Sequence, residues 1–355
     1  MIHGLRRSIR RAGFTLALLP GLALTPGFVH AGMGLMTLEP QPPSSSRVTL
    51  YYPSAQADRP HPVGRGHITL QVAADAAPQP GNGALVVLSH GSGGTPWVHA
   101  DLARRLVEAG FVVAMPWHQG DNAADSGEPG PVSWARRPAE VSAAIDTVAA
   151  DARFAALLQF ERVGVYGQSA GGHTALSMAG GEWSPARFAE HCQAHIADDF
   201  HACVGLALRL SGGWADRLKQ WAARWVLRLR FRDATLQAHH DPRVAAVVAG
   251  NPLASDFDPA SLARPRVPLG LVTTRQDRWL VPRFHGDRVL AACQPRCEHL
   301  MDLPDGGHGA LLSPLPPGLT GLVGELLGDP PGFDRTVLAL LDGRIVAFMQ
   351  RHLLR

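Results

Sequence analysis

From residue 84 to the C-terminus, short apolar runs of strand length alternate with segments of helical periodicity, and few architectures accept that order. The strand-like runs cover residues 84–88, 111–115, 162–166, 244–249, 267–273 and 299–303. The helical segments cover 99–109, 138–154, 173–178, 282–292 and 334–352. Such alternation predicts a mostly parallel sheet with helices on both faces. Two earlier runs, 48–52 and 67–72, have no helix between them and predict an antiparallel start. The expected fold class is α/β, with an eight-stranded sheet.

Composition permits a substantial core: 46% of the 355 residues are hydrophobic and 18% are charged. The formal net charge is only +3, and Arg6, Arg7, Arg10 and Arg11 supply part of it, so nucleic acid is not an expected partner. These arginines precede an apolar stretch over 14–24, and Val29 and Ala31 stand at the minus-three and minus-one positions of a cleavage site before Gly32. A signal peptide over residues 1–31, cleaved after Ala31, is expected, and with it a periplasmic or secreted protein. Broken by Pro20 and Pro26, the stretch is too short to span roughly 30 Å of hydrocarbon. Arg10-Arg11 with Phe14 loosely fits a twin-arginine signal, with Phe14 one place late, which leaves the export route open.

Residues 32–46, ending in the proline and serine run at 41–46, are expected to form a flexible leader, so that the folded domain occupies 47–355. The four cysteines fall into two local pairs, Cys192 with Cys203 and Cys293 with Cys297. An oxidising compartment predicts a disulfide within each. His191, His195, His201, Asp198 and Asp199 surround the first pair and leave a metal site as the alternative, although their spacing matches no familiar ligand pattern. Cys293 and Cys297 stay thiols if they lie one turn apart on a single helix.

The residues that point to chemistry begin with Gly167-Gln168-Ser169-Ala170-Gly171. Glycines two before and two after a serine permit a sharp turn between strand and helix. In a chain with 38 glycines the pattern alone is weak. Its context is stronger, because the strand-like Val163-Gly164-Val165-Tyr166 precedes it and the helix-compatible 172–178 follows. Ser169 is therefore the candidate nucleophile. The amide of Ala170 is one candidate oxyanion donor, and the amide of Ser92, in the turn Ser89-His90-Gly91-Ser92-Gly93-Gly94 after strand 84–88, is the second. His90 reads as a brace for that turn rather than as a catalytic residue.

Seventeen histidines leave the base ambiguous until chain order is applied, in which serine is followed by the acid and then by histidine, each beyond a strand end. Asp277 follows strand 267–273, and His308 lies in the glycine-flanked loop after strand 299–303. These become the candidate orienting acid and base. Asp256 and Asp258 are substitute acids, Asp305 is disfavoured by its nearness to His308, and His285 and Asp287 fall on the helix after Asp277. His239 and His240 read as structural. The chemistry these groups support is acyl transfer to water through an acyl-enzyme, and nothing in it calls for a metal or an organic cofactor.

The alternation breaks over residues 181–241, a length that predicts a cap. Within it, 217–233 reads as a basic amphipathic helix that interleaves Trp221, Trp225, Val226 and Leu229 with Lys219, Arg224, Arg228, Arg230 and Arg232. Three readings stay open: tryptophans packed on the sheet, tryptophans (Trp214 among them) facing a substrate, or a weak contact with a lipid surface.

Taken together, Val87-Leu88-Ser89-His90-Gly91-Ser92-Gly93-Gly94, the stretch 102–114, His118-Gln119-Gly120-Asp121-Asn122, Arg137-Pro138 and the Ser169 turn resemble the dienelactone hydrolase-like branch of the α/β-hydrolases. The likeness is to bacterial esterases related to platelet-activating factor acetylhydrolase, and it covers most of residues 84–310. It implies an α/β-hydrolase fold and ester hydrolysis, with Ser169, Asp277 and His308 as the triad and the amides of Ser92 and Ala170 as the oxyanion hole. A small-molecule ester is then the expected partner. Two departures stand out: true dienelactone hydrolases have cysteine where this chain has Ser169, and the cap matches no pattern of that branch. An amidase or peptidase using the same triad, and a non-catalytic binding module on the same fold, are the alternatives.

Overall fold

The computed structural model describes Met1, residues 32–40 and residues 47–354. The expected signal peptide and the run 41–46 lie outside the described residues. One sheet contains the strands β1 (Gly32–Leu38), β2 (Val48–Ser54), β3 (Arg59–Val63), β4 (Ile68–Ala74) and β5 (Leu85–Ser89). It continues with β6 (Val112–Pro116), β7 (Val163–Gln168), β8 (Val244–Gly250), β9 (Leu269–Thr274) and β10 (Cys297–Leu303). Their spatial order is β10-β9-β8-β7-β5-β6-β2-β1-β4-β3. The block from β10 to β6 is parallel throughout, and β2 joins β6 in antiparallel register.

The sheet thus has ten strands where eight are expected. One addition, β1, corrects the flexible leader: residues 32–38 are a strand, paired antiparallel with β2 along its whole length and parallel with β4. Gly32-Met33-Gly34-Leu35-Met36 is buried on both faces, and the ring of Tyr52 crosses Gly34 where any Cβ would clash. Burial of Met33, Leu35 and Met36 orders the segment despite its place just after the expected cleavage point. The other addition, β3, contains Pro60 and Pro62, which an edge strand tolerates because one side of its backbone needs no partner.

Alternating side chains of the central strands feed two cores. Leu85 and Val87 of β5 pack with Val141, Ala144 and Ile145 of α2 (Pro131–Ala150) and with Leu176 of α4 (Ala170–Met178), α3 (Ala152–Ala155) following directly after α2. Val86 and Leu88 point the other way, toward Leu102 and Leu106 of α1 (Ala100–Glu108) and Ile345 and Phe348 of α11 (Leu338–Leu353). Helix α2 begins at Pro131 rather than at 138, since Pro131 occupies the first turn, where a missing N–H costs nothing. Pro138 lies inside it.

Between α4 and β8 the chain forms the cap, with α5 (Pro185–His195), α6 (Phe200–Val204) and α7 (Ala215–Arg230). A disulfide joins Cys192 of α5 to Cys203 of α6. Helices α8 (Pro259–Leu262) and α9 (Gly286–Cys293) connect the last strands, and α10 (Gly321–Leu327) follows β10 on the way to α11. A second disulfide links Cys293, at the end of α9, to Cys297, at the start of β10. These two cysteines therefore do not share one helix.

Candidate active site

Strand order reverses at β5, with β6 on one side and β7 on the other, so the loops leaving β5 and β7 diverge and open a crevice. Ser169 stands at the tip of the β7 loop, as the residue preceding the first turn of α4. Its φ of 59° and ψ of −120° lie in a region side chains avoid, at a cost of about 1–3 kcal/mol. The turn survives because its neighbours leave no room for anything else. A Cβ on Gly167 would meet the carbonyl oxygen of Gly171 at 1.9 Å, and one on Gly171 would meet that of Ser89 at 1.9 Å. Both elbow glycines are thus required by close backbone approach, not only by the turn.

His308, Asp277 and Ser169 form one hydrogen-bonded chain. His308 Nε2 is 3.0 Å from Ser169 Oγ, and its Nδ1 is 2.7 Å from Asp277 Oδ2. The other carboxylate oxygen of Asp277 accepts from the amides of Trp279 and Leu280, both at 2.8 Å, which fixes the acid's orientation. The side-chain amide of Gln168 donates to the carbonyl of His308 at 3.1 Å, tying the histidine loop to the elbow strand. The Trp279 ring packs beside the imidazole, centroids 5.1 Å apart. Asp277 and His308 are buried, 139 residues of sequence separating His308 from the serine it reaches.

The rival acids are engaged elsewhere. Asp256 is 3.1 Å from His173 Nε2 within the core, and Asp258 accepts from Arg187. Asp287 pairs with Arg275, His285 bonds Asp199, and His239 bonds the Ser142 hydroxyl.

The loop after β5 lies against the elbow: a Cβ on Gly91 would come within 3.3 Å of the Ser169 Cβ. Two buried groups that sequence reasoning passed over as chemistry hold this loop. Asp121 Oδ1 accepts from the Ser92 hydroxyl at 2.5 Å and from the Gly93 amide at 3.0 Å. Its Oδ2 pairs with Arg137 at 2.9 Å, both side chains fully buried. Arg137 also donates to the carbonyl of His90 at 2.5 Å and to the Ser133 hydroxyl. A second buried set supports the base of the loop. Burial, with the charges of Arg137 and Arg136, keeps His118 neutral, so its Nδ1–H donates to Glu140 at 2.6 Å and its Nε2 accepts from the Ser89 hydroxyl at 2.7 Å. The sequence signal for His118, Asp121 and Arg137 is their place in the motif residues 118–122 and 137, and Glu140 has none.

Two cavities meet at Ser169. The larger, about 370 Å³, is walled by His308, Trp97, Leu312, Leu319, Val323 and Leu327 among others. The smaller, about 230 Å³, has Ala170 in its wall with Trp134, Phe188, Val204, Phe231 and Leu280. Ser92, Ser169 and Trp279 border both. The cap therefore closes the smaller cavity through Phe188, Phe231 and the segment His201 to Gly205, and Trp214, Trp221 and Trp225 contribute to neither. That outcome corrects the reading in which those tryptophans face a substrate.

Of the cap residues considered for a metal, His191 and Asp199 come together, joined by His285 rather than by His195 or His201. Asp199 Oδ2 lies 2.7 Å from His191 Nε2 and 3.0 Å from His285 Nε2. The Ala254 amide donates to His285 Nδ1, so the imidazole proton is on Nε2 and points at the carboxylate. Burial opposes ionisation of Asp199, and the two imidazoles more than offset it, holding the carboxyl well below its usual range. This is a hydrogen-bonded clamp between cap and core, and Asp199 Oδ1 also accepts from the Val281 amide, near the Asp277 loop.

No protein-family profile and no curated protein matches this chain. Among solved structures, a ferulic acid esterase from Streptomyces cinnamoneus is similar, with a TM-score of 0.57 and 18% sequence identity over 93% of this chain and 92% of that one. The chain has the α/β-hydrolase fold. The loops that bear Ser169, Asp277 and His308 leave the carboxyl ends of the parallel strands β7, β9 and β10.

Proposed function

We propose that this α/β-hydrolase-fold chain is a serine hydrolase that cleaves carboxylic esters. The observation that supports it best is the continuous hydrogen-bonded chain from Asp277 through His308 to Ser169. In the reaction, Ser169 Oγ attacks the ester carbonyl carbon as His308 Nε2 takes its proton, and Asp277 holds the imidazole tautomer and stabilises the imidazolium. The amides of Ala170 and Ser92 receive the oxyanion, aided by the N-terminus of α4. Collapse expels the alkoxide, which takes the proton from His308. Water, deprotonated by His308, then attacks the acyl-enzyme and frees the acid and Ser169.

The leaving oxygen must reach His308, which borders only the larger cavity, so the alcohol portion occupies that apolar space. The acyl portion then takes the smaller cavity, whose aromatic walls suit an aryl or medium-length chain and parallel the ferulic acid of the structural neighbour. The finer likeness to dienelactone hydrolase-like esterases belongs to this proposal and is supported by the structural use of Asp121 and Arg137. Export is also part of it: both cysteine pairs are bridged, which suits an oxidising compartment, and cleavage after Ala31 leaves β1 whole.

Acetate esters of lengthening alkyl alcohols, measured beside a matched anilide, test the assignment. Each added methylene is expected to raise kcat/KM by about three- to fourfold until the larger cavity is full. Cleavage of the anilide as fast as the ester would favour amide hydrolysis, and indifference to alcohol length would reverse the two cavities.

A further inference from the structure

The solvent side of α7 is not the surface of an ordinary cap helix. Trp214, just before its first turn, is 86% exposed, Leu218 59%, Trp221 63%, Trp225 57% and Leu229 40%. They recur every three or four residues and so form one straight stripe along the helix. The buried residues Asp216, Ala223 and Leu227 lie on the opposite side, where α7 packs on α5. The helix thus has two apolar faces, and among the described residues only one is covered.

Beside the exposed stripe, on one flank, stand the exposed Arg217 and Arg228, the latter also donating to Gln193 of α5, with the half-buried Arg224 between them in the same row. Asp216 is the single acid of α7, and it is turned inward, bonded to Lys219 and to the Ser211 and Gly212 amides. The segment leading into α7 continues the pattern. Gly205 borders the smaller cavity, Leu206 and Leu208 after it are exposed, and the Arg209 carbonyl accepts from Lys219. Arg209 itself is paired with Glu325.

We propose that this face of α7 docks on a bilayer surface carrying anionic headgroups. A convex line of three tryptophans and two leucines fits the boundary between headgroups and acyl chains, where indole rings bury their bodies and keep the N–H wet. The arginine row complements headgroup phosphates at that depth. Patches of this kind are rare on a surface that stays in water. The smaller cavity is lined by Gly205, before α7, and by Phe231, just after it, so α7 is joined at both ends to the wall of that cavity. The inference does not depend on Ser169 chemistry.

Co-sedimentation of the purified protein with phosphatidylcholine vesicles, with and without phosphatidylglycerol, tests it, with tryptophan emission recorded alongside. Binding to the anionic vesicles, a blue-shifted emission and release by high salt are expected. Trp221→Ser with Trp225→Ser should weaken binding by about tenfold or more, and Arg217→Gln with Arg228→Gln should weaken it chiefly for anionic vesicles, with thermal unfolding unchanged in both. Wild type left in the supernatant with anionic vesicles, or binding untouched by the tryptophan changes, would overturn the proposal. So would a dimer in sedimentation that the tryptophan changes dissociate, since a second copy of the chain would then cover the stripe.

Discussion

The carboxylate of Asp121 is divided between two duties, one oxygen holding the Ser92 hydroxyl and Gly93 amide and the other holding the buried Arg137. Replacing it by Asn keeps the size but leaves Arg137 without its counter-charge, a loss that costs about 3–5 kcal/mol for a buried pair. Asp121→Asn is therefore expected to lower kcat by about ten- to a hundredfold with little change in KM, because the loop bearing the Ser92 amide loosens, and to lower the melting temperature. Steady-state kinetics and thermal unfolding of that variant check both parts. Ser169, Asp277 and His308 are legible in the sequence because each stands beside a local signal: flanking glycines, a strand end, a glycine-rich loop. Asp121 with Arg137, and Asp199 with His285, are not. Each of these pairs meets only through the tertiary fold, and no local pattern marks a residue as the counter-charge of another.

At the level of elements, the Cys192–Cys203 bridge and the packing of α7 on α5 hold the cap together, and the Asp199 clamp, the Arg187–Asp258 pair and the Trp134–Phe188 contact tie it to the rest of the fold. The bridge closes a loop over a sequence separation of 11, so chain entropy predicts that Cys192→Ser with Cys203→Ser destabilises the protein by about 3 kcal/mol. Phe188 and the segment to Gly205 line the smaller cavity, so the same variant should lose acyl-chain discrimination more than it loses rate on a small acetate. Denaturant unfolding together with an acyl series separates the two effects. The position and helical content of the cap follow from the break in alternation and from the 3.6-residue period, whereas which face of α7 turns outward does not. Both faces of that helix are apolar, and periodicity alone does not choose between them. Strand β1 escapes the sequence reading for a related reason, since a short stretch between an expected cleavage point and a proline and serine run reads as a flexible leader until its partners, β2 and β4, are known.

Across the whole molecule, the parallel block from β10 to β6 is what alternation of strand and helix leads one to expect, whereas the strand order with its reversal at β5 is not read from that pattern, and together they put every loop of the site on one rim. The other side of the sheet has its own electrostatic cost. Burial, with the charge of Asp101 adding to it, pushes the Asp342 carboxyl of α11 up to about 7. Its folded pKa lies above the unfolded value, so the folded state holds the proton more tightly, and stability is lost as pH rises from about 4 through 7. Asp342→Asn is expected to stabilise the protein by about 1–2 kcal/mol above pH 7, after discounting for partial exposure, and by little near pH 4. Melting temperatures of both forms across that range measure it.

The proposal of a nucleophilic serine meets its most direct test in fluorophosphonate labelling of the folded protein, with Ser169→Ala and His308→Ala beside it. A single label on Ser169, absent in Ser169→Ala and strongly slowed in His308→Ala, is the predicted result. A folded wild type that takes no label, or a label that persists in Ser169→Ala, would contradict it.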